Sequence, residues 1–355
     1  MATDDVHEEC GVFGIYAPGE DVARLTYFGL YALQHRGQES AGIATADGEQ
    51  IRIHTQMGLV TTAFSEAELA RLTGHIAIGH TRYSTTGSSR QANAGPFLVH
   101  SPNGSIAVAH NGNLVNSGNL RQELADRGVH FAGTTDTEAL TWTIALGYAP
   151  DIVGRVREAM TRFVGAYSLA ILTENELVGV RDPLGIRPLC IGRLGDGWVL
   201  ASETCALATI GATFEREVEP GEIIVIDDQG MQSYPMHEPP GRSAMCLFEL
   251  IYFARPDSQM MGKRLHLARQ RMGAELWHEH PVDADIVVPL PDSAVPAAIG
   301  LGRGTGIPDA GGVIKNRYIG RTIIQPDQRL RGPRGPAEVQ RIARGSGRQA
   351  CDPGG

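Results

Sequence analysis

The chain changes its hydrophobic period many times, and each change predicts an element. Cys10-Gly11-Val12-Phe13-Gly14-Ile15-Tyr16 is a continuous apolar run, the pattern of a buried strand. Over residues 21–33, Val22, Leu25, Tyr27, Phe28, Leu30 and Leu33 recur at helical spacing, with Asp21 placed to cap. Strand patterns follow at 41–44 and 50–55, then a short capped helix at 65–72 and a half-alternating strand at 75–83. Residues 105–110 predict a strand that ends at Asn111-Gly112-Asn113. Amphipathic helices are expected at 117–127, 136–146 and 151–163, and short strands at 167–172, 177–180, 189–192, 198–201 and 222–226. Many short strands with clustered helices favour two helix-covered sheets over a doubly wound parallel sheet.

The Pro/Gly-rich stretch from Tyr234 to Gly241 is the best domain boundary. Beyond it the pattern predicts a helix at 263–279, a buried-type strand at 285–290 feeding Pro291-Asp292-Ser293, and a helix at 296–300. Strand, polar turn and helix is a layout whose turn can meet an anion. A length of 355 residues accommodates two such domains. The net charge of -9 argues against a nucleic-acid surface, and no apolar stretch approaches membrane-spanning length. Five scattered cysteines without a CxxC read as reduced thiols of a cytoplasmic protein.

Cys10 carries the most pointed chemistry. The nine residues before it include four acidic groups and no apolar core, so they form neither a signal nor a transit peptide. Removal of residues 1–9 as a propeptide would leave Cys10 a free α-amine beside its thiol. Such an amine titrates at about 7.7–8.0 and can act as general base without a histidine. The plainer alternative is a structural cysteine opening a strand. Residues 84–89, Ser-Thr-Thr-Gly-Ser-Ser, have the composition of a lid loop.

Cys10-Gly11-Val12-Phe13-Gly14, Leu33-Gln34-His35-Arg36-Gly37-Gln38-Glu39, Gly79-His80-Thr81-Arg82-Tyr83-Ser84-Thr85, His110-Asn111-Gly112-Asn113-Leu114 and Thr135-Asp136-Thr137-Glu138 resemble the class II, N-terminal-nucleophile glutamine amidotransferases. Arg181 to Leu189, Ala201 to Cys205, Val218 to Glu222, Ile251 to Ser258 and Ile314 to Thr322 narrow the resemblance to the amidophosphoribosyltransferase family, from about Glu9 to Leu330. It implies an α+β N-terminal-nucleophile glutaminase domain of four-layer αββα build over 10–236. A truncated α/β phosphoribosyltransferase-type domain over 237–330 would follow. The implied reaction takes glutamine, 5-phosphoribosyl 1-diphosphate and water to 5-phosphoribosylamine, glutamate and diphosphate, the first committed step of de novo purine synthesis. The family forms cytoplasmic homo-oligomers. A related class II amidotransferase making glucosamine 6-phosphate or asparagine would share the first half only. A glutaminase-only or inactive fragment, or a subunit that only binds partners, is the other alternative.

The resemblance also implies residue roles. Cys10 would attack the glutamine amide, and the Asn111 side chain with the Gly112 backbone N–H would hold the oxyanion; Asn111-Gly112 could equally be a hairpin turn. Arg82 would take the α-carboxylate of glutamine and Asp136 its α-ammonium, a guanidinium fork for a planar carboxylate and an acid for an amine. Arg36 and His80 are expected on the substrate side as pocket support, with Arg36 alternatively a buried charge satisfying neighbouring loops. Asp182 and Arg187 read as structural. Ser293 would help hold Mg²⁺, and Lys315, Arg317 and Arg321 would sit on a flexible loop closing over the phosphoribosyl substrate.

The likeness stops near Leu330. The family's paired metal-binding aspartates are not found, and of the four cysteines that hold a 4Fe-4S cluster in one branch only Cys246 has a counterpart, so this polypeptide is expected to lack the cluster. A second domain short of strands would expose sheet edges and assemble poorly. Residues 331–355 hold six glycines, five arginines and three prolines without any period. Back-translated one frame away, Gly347 to Gly355 can read Gly-Lys-Arg-Val-Thr-Leu-Val, the start of the family's next strand. A frameshift near Arg331 and a disordered tail over 331–355 are therefore expected.

Overall fold

Residues 10–83, 90–236, 241–309, 311–315 and the backbone of 339–341 are described by the computed structural model. In chain order the first elements are β1 (Gly11–Tyr16), α1 (Val22–Ala32), β2 (Ser40–Ala46), β3 (Ile51–Met57), α2 (Val60–Ala63), α3 (Glu66–Leu69) and β4 (Ile76–Arg82). Next come β5 (Phe97–Ser101), β6 (Gly104–Leu114), α4 (Ser117–Asp126), α5 (Asp136–Ala145), α6 (Ile152–Met160), β7 (Gly165–Leu172) and β8 (Leu177–Arg181). The series continues with β9 (Cys190–Leu194), β10 (Gly197–Ala201), α7 (Thr204–Thr209), β11 (Thr213–Glu217), β12 (Ile223–Asp227) and β13 (Gly230–Tyr234). After a π-helical turn at Glu249–Phe253 there follow β14 (Gln259–Met260), β15 (Lys263–Arg264), α8 (Leu265–Glu279), α9 (Val295–Thr305), β16 (Val313–Lys315) and β17 (Val339–Arg341).

Local chemistry explains the starts of several helices. The Asp21 carboxylate accepts from Arg24 N and opens α1, and Ser65 with Glu68 forms a complete capping box for α3. The Thr135 hydroxyl accepts from Glu138 N at the start of α5. Two antiparallel sheets then form, ordered β11-β9-β10-β1-β4-β2-β3 and β13-β12-β8-β7-β6-β5. Phe13, Ile15, Leu30, Leu33 and Leu207 lie in a core between the first sheet and helices α1 and α7. Val12, Ile76, Ile78, Ala107, Ala170 and Leu200 form a second core where the two sheets face each other. A third core joins the other face of the second sheet to α4, α5 and α6 through Val108, Leu120, Leu140, Val156 and Leu169. Because β1 is covered on both faces, all six of its residues are buried, which is why its sequence shows no alternation.

The chain divides into two compact units, the first running to Leu265 and the second starting at His266. The sequence put that boundary at 236/237, and the correction has a physical cause. Residues 249–258 return to the first unit and bury Glu249, Phe253 and Ser258 in it, bonded to Arg36 and Glu203.

In the second unit α8 and α9 approach at two glycines. A Cβ on Gly300 would overlap the Gln270 carbonyl, and one on Gly273 the Ala297 carbonyl. The strand expected at 285–290 is not formed: Val287 makes a single parallel bridge to Asp309, and with no further ladder the segment stays irregular. The tail expected to lack structure contains one strand, β17, antiparallel to β16 with Val313 opposite Arg341. A three-residue ladder needs only backbone groups and an open edge, so the absence of side-chain period did not forbid it. The rest of 331–355, and the lid expected at 84–89, lie outside the described residues.

Candidate active site

Antiparallel register brings the first half of the site together. Gly11 of β1 lies opposite Thr81 of β4, and Ser40 of β2 opposite Arg82. One further step places Cys10 beside Arg82 and Tyr83. Cys10 is 8% exposed, and its Sγ–H donates to the Tyr83 carbonyl at 3.5 Å. Burial pushes the thiol up to about 11, Asp136 and Glu39 push the same way, and Arg82 opposes them. At neutral pH the group is therefore a thiol and needs a base before it can attack.

The second sheet supplies the facing wall. His80 Nε2 donates to the His110 carbonyl at 3.1 Å, tying β4 to β6 immediately before Asn111. Burial holds His80 down to about 3, with Arg82 and His110 acting in the same sense, so the ring is neutral. The bond joins the two strands that carry Arg82 and Asn111.

Asn111 is fully buried, and neither its Oδ1 nor its Nδ2 has a hydrogen-bond partner among the described residues. A buried carboxamide without partners costs free energy unless a ligand completes it. The alternative of a hairpin turn at Asn111-Gly112 is excluded, because β6 runs on to Leu114 and pairs Gly112 with Tyr167. Gly112 has φ of +149°, and a Cβ there would overlap the Ala166 carbonyl and stand 2.9 Å from His110 Nε2. Only glycine lets the strand pass this point.

Asp136 opens α5 and is buried. It accepts from Leu114 N at 2.9 Å and from Thr137 N at 2.8 Å, which ties the helix start to the end of β6. Thr137 Oγ1 lies 3.1 Å from His110 Nδ1. Arg82 is buried in an ion pair with Glu39. A guanidinium and a carboxylate thus lie close enough to Cys10 to move its titration.

Arg36 is a buried charge, as the second alternative had it, with no exposed side-chain surface. Its Nε donates to the Cys10 carbonyl at 3.1 Å, its Nη1 to Glu203 at 2.6 Å and Glu249 at 3.1 Å, and its Nη2 to Glu249. Burial works against its charge, but Glu249 and Glu203 outweigh that and raise it. The residues missed from sequence are these two carboxylates, Glu39 and His110. Glu203 and Glu249 stand 167 and 213 positions from Arg36, beyond any local signal.

In the second unit, Lys315 ends β16 rather than lying on a loop, and its Nζ pairs with Asp292 at 2.8 Å. Ser293 sits in the turn between that carboxylate and α9. Arg317 and Arg321 lie outside the described residues. With Asp292 already held by Lys315, this turn offers one hydroxyl and no uncommitted carboxylate, which does not fit a resident Mg²⁺. Cys246 is half-buried, and among the described residues no group of three or more His, Cys, Asp or Glu could hold a metal with it. The described residues do not fit a four-thiolate cluster either.

Residues 80–209 match the model of the glutamine amidotransferase domain. The amidophosphoribosyltransferase of Synechocystis sp. is 53% identical over 334 residues, covering 92% of this chain and 67% of that one. Its counterpart in Bacillus subtilis is 47% identical, covering 92% of this chain and 68% of that one. The solved glutamine phosphoribosylpyrophosphate amidotransferase from B. subtilis, complexed with ADP and GMP, superposes with a TM-score of 0.85. It is 46% identical, over 94% of this chain and 72% of that one. The fold and site are those of a glutamine amidotransferase domain joined to a transferase domain. The chain belongs to the amidophosphoribosyltransferase family, and spans about two thirds of the length of these relatives.

Proposed function

We propose that this chain is an amidophosphoribosyltransferase whose first unit hydrolyses glutamine at Cys10, releasing ammonia for transfer to 5-phosphoribosyl 1-diphosphate. The products are 5-phosphoribosylamine, glutamate and diphosphate, at the entry to purine synthesis. The observation that carries this reading is Asn111, a fully buried carboxamide with both polar atoms unpartnered among the described residues, on the strand that faces Cys10. The layered first unit is read as the αββα N-terminal-nucleophile fold, and residues 1–9 as a propeptide.

The α-amine freed at Cys10 takes the proton from Sγ, and the sulfur attacks the side-chain carbonyl carbon of glutamine. Asn111 Nδ2–H and Gly112 N–H receive the oxyanion. As the C–N bond breaks, the ammonium returns its proton to the leaving nitrogen, and ammonia departs from a thioester. Water activated by the same amine hydrolyses the thioester to glutamate and regenerates the thiol. Arg82 and Asp136 hold the two ends of the glutamine backbone, Arg82 exchanging part of its interaction with Glu39 for the substrate carboxylate. In the second unit, Ser293 and Lys315 face the diphosphate, and any magnesium arrives with that substrate. The intact enzyme of the family is read as a cytoplasmic homo-oligomer, and this chain, short of strands in its second domain, as one that assembles poorly.

Glutamate release by purified chain tests the centre of this reading. Cys10→Ala lowers it at least ~10³-fold, and intact mass shows activity only in molecules that begin at Cys10. An active Cys10→Ala variant, or full activity with residues 1–9 in place, overturns the assignment. Monodisperse oligomers of this chain in light scattering, melting in one cooperative step, overturn the expectation of poor assembly.

A further inference from the structure

Cys10 touches a network that no substrate reaches. The Arg36 guanidinium is a rigid plane, so the direction in which its Nε–H points at the Cys10 carbonyl is set by what its two Nη groups hold. One holder is Glu203, itself anchored through Oε2 by Arg255 N at 2.9 Å and Ser258 Oγ at 2.8 Å, and through Oε1 by His35 Nε2 at 2.6 Å. Burial works against the Glu203 charge, but His35 and Arg36 outweigh it and keep the carboxylate ionised. Another holder is Glu249, which grips both Nη1 and Nη2 from the π-helical turn, with no exposed side-chain surface. The Phe253 ring lies against the guanidinium, with its centroid 4.8 Å from Cζ.

Resting on the nucleophile role proposed above, we infer that Glu249 is a positioning residue for Cys10. Through Arg36 it fixes the carbonyl, and with it the thiol and α-amine, of the residue that opens β1. A purely structural ion pair would need no bond to the nucleophile's own backbone. This pair has one, and the plane of the guanidinium passes any tilt at Glu249 directly to Cys10. Glu249 touches no reacting atom. Its loss acts on kcat, because the amine-to-thiol geometry is disturbed while Arg82 and Asp136 keep their grip on glutamine.

The experiment uses full-length Glu249→Gln, which keeps the shape but replaces one acceptor oxygen by a donor. Hydrolysis of glutamine is expected to lose at least tenfold in kcat with KM within twofold. Iodoacetamide labelling resolved by peptide mapping adds a readout independent of activity. Labelling of Cys10 is expected to rise at least threefold as β1 loosens at its start, with Cys190 in β9 unchanged. A folded variant with wild-type kcat and wild-type Cys10 labelling overturns the proposal, as does equal acceleration at Cys10 and Cys190, which marks general destabilisation. Should Glu249→Gln not fold, Ser258→Ala carries the test, since it removes one anchor from the facing carboxylate. A threefold lower kcat at unchanged KM supports the clamp, and a wild-type kcat overturns it. A wild-type chain without any glutamine hydrolysis would defeat the nucleophile reading instead, and the labelling comparison would then decide the clamp by itself.

Discussion

At the scale of single residues, the site is built from polar groups whose burial makes sense only together. Asn111 is the clearest case. Its Nδ2 and Oδ1, without partners among the described residues, lower the stability of the empty site, and on the proposed reading the Nδ2–H is completed when an oxyanion forms. Asn111→Ala should therefore cost about 10²–10³ in kcat for glutamine hydrolysis while leaving the fold at least as stable; steady-state rates and urea melts check both, and a loss of less than threefold would remove Asn111 from the oxyanion site. His80 makes a prediction about pH. Folded, it stays neutral down to about 3, whereas unfolded it takes a proton near the ordinary imidazole value of 6.5. The unfolded state binds the extra proton, so stability falls as pH drops from about 6.5 toward 3, by up to about 1.4 kcal/mol per unit. His80→Gln can still donate to the His110 carbonyl but does not titrate. Urea unfolding at pH 7, 6 and 5 should show a shallower fall in the variant, and parallel profiles would contradict the assignment.

Among the elements, contact distance is set by where side chains are absent. α8 and α9 meet at Gly273 and Gly300, each close enough to the partner helix that a Cβ would overlap a backbone carbonyl. Gly300→Ala must push the helices apart, at a cost of about 1–3 kcal/mol. Hydrogen exchange should quicken in α8 and α9 and remain unchanged in β1, β4 and β6; unaltered exchange in α9 would contradict the close approach. The strands show a parallel lesson. β5, β11 and β13, which the hydrophobic pattern did not reveal, all lie at sheet edges. An edge strand packs one face weakly, and its residues here are largely half-buried or exposed, so neither an alternating nor a continuous apolar signal is required.

For the molecule as a whole, the first compact unit runs to Leu265. A fragment of 10–236 would keep Arg36 paired with Glu203 but without Glu249, and losing one partner of a buried ion pair costs up to about 3–5 kcal/mol. That is a large part of the roughly 5–15 kcal/mol that holds a domain folded. A fragment of 10–265 should melt cooperatively in urea, and 10–236 should be unfolded or lower in midpoint. Equal midpoints would show that the return of residues 249–258 adds no stability.

Periodicity, caps and turn residues by themselves determined most of the elements, including α1, α4, α5, α6 and the strands that bear Cys10, Arg82 and Asn111. These signals are local: a strand buried on both faces must be apolar throughout, and a helix start must satisfy its free N–H groups. The ordered motifs likewise raise the expectation that Cys10, Asn111, Gly112, Arg82 and Asp136 act as one site. Only the tertiary structure decided what Arg36 does, because its carboxylate partners lie 167 and 213 residues away and leave no mark on the sequence around it. The same holds for the passage of β6 straight through Asn111-Gly112, where pairing with β7 overrides a dipeptide that favours turns. It holds for the 285–290 segment too, whose apolar residues invite a strand that has only one bridge to join. Local preference proposes an element, but a ladder or an ion pair exists only where the fold brings its partner.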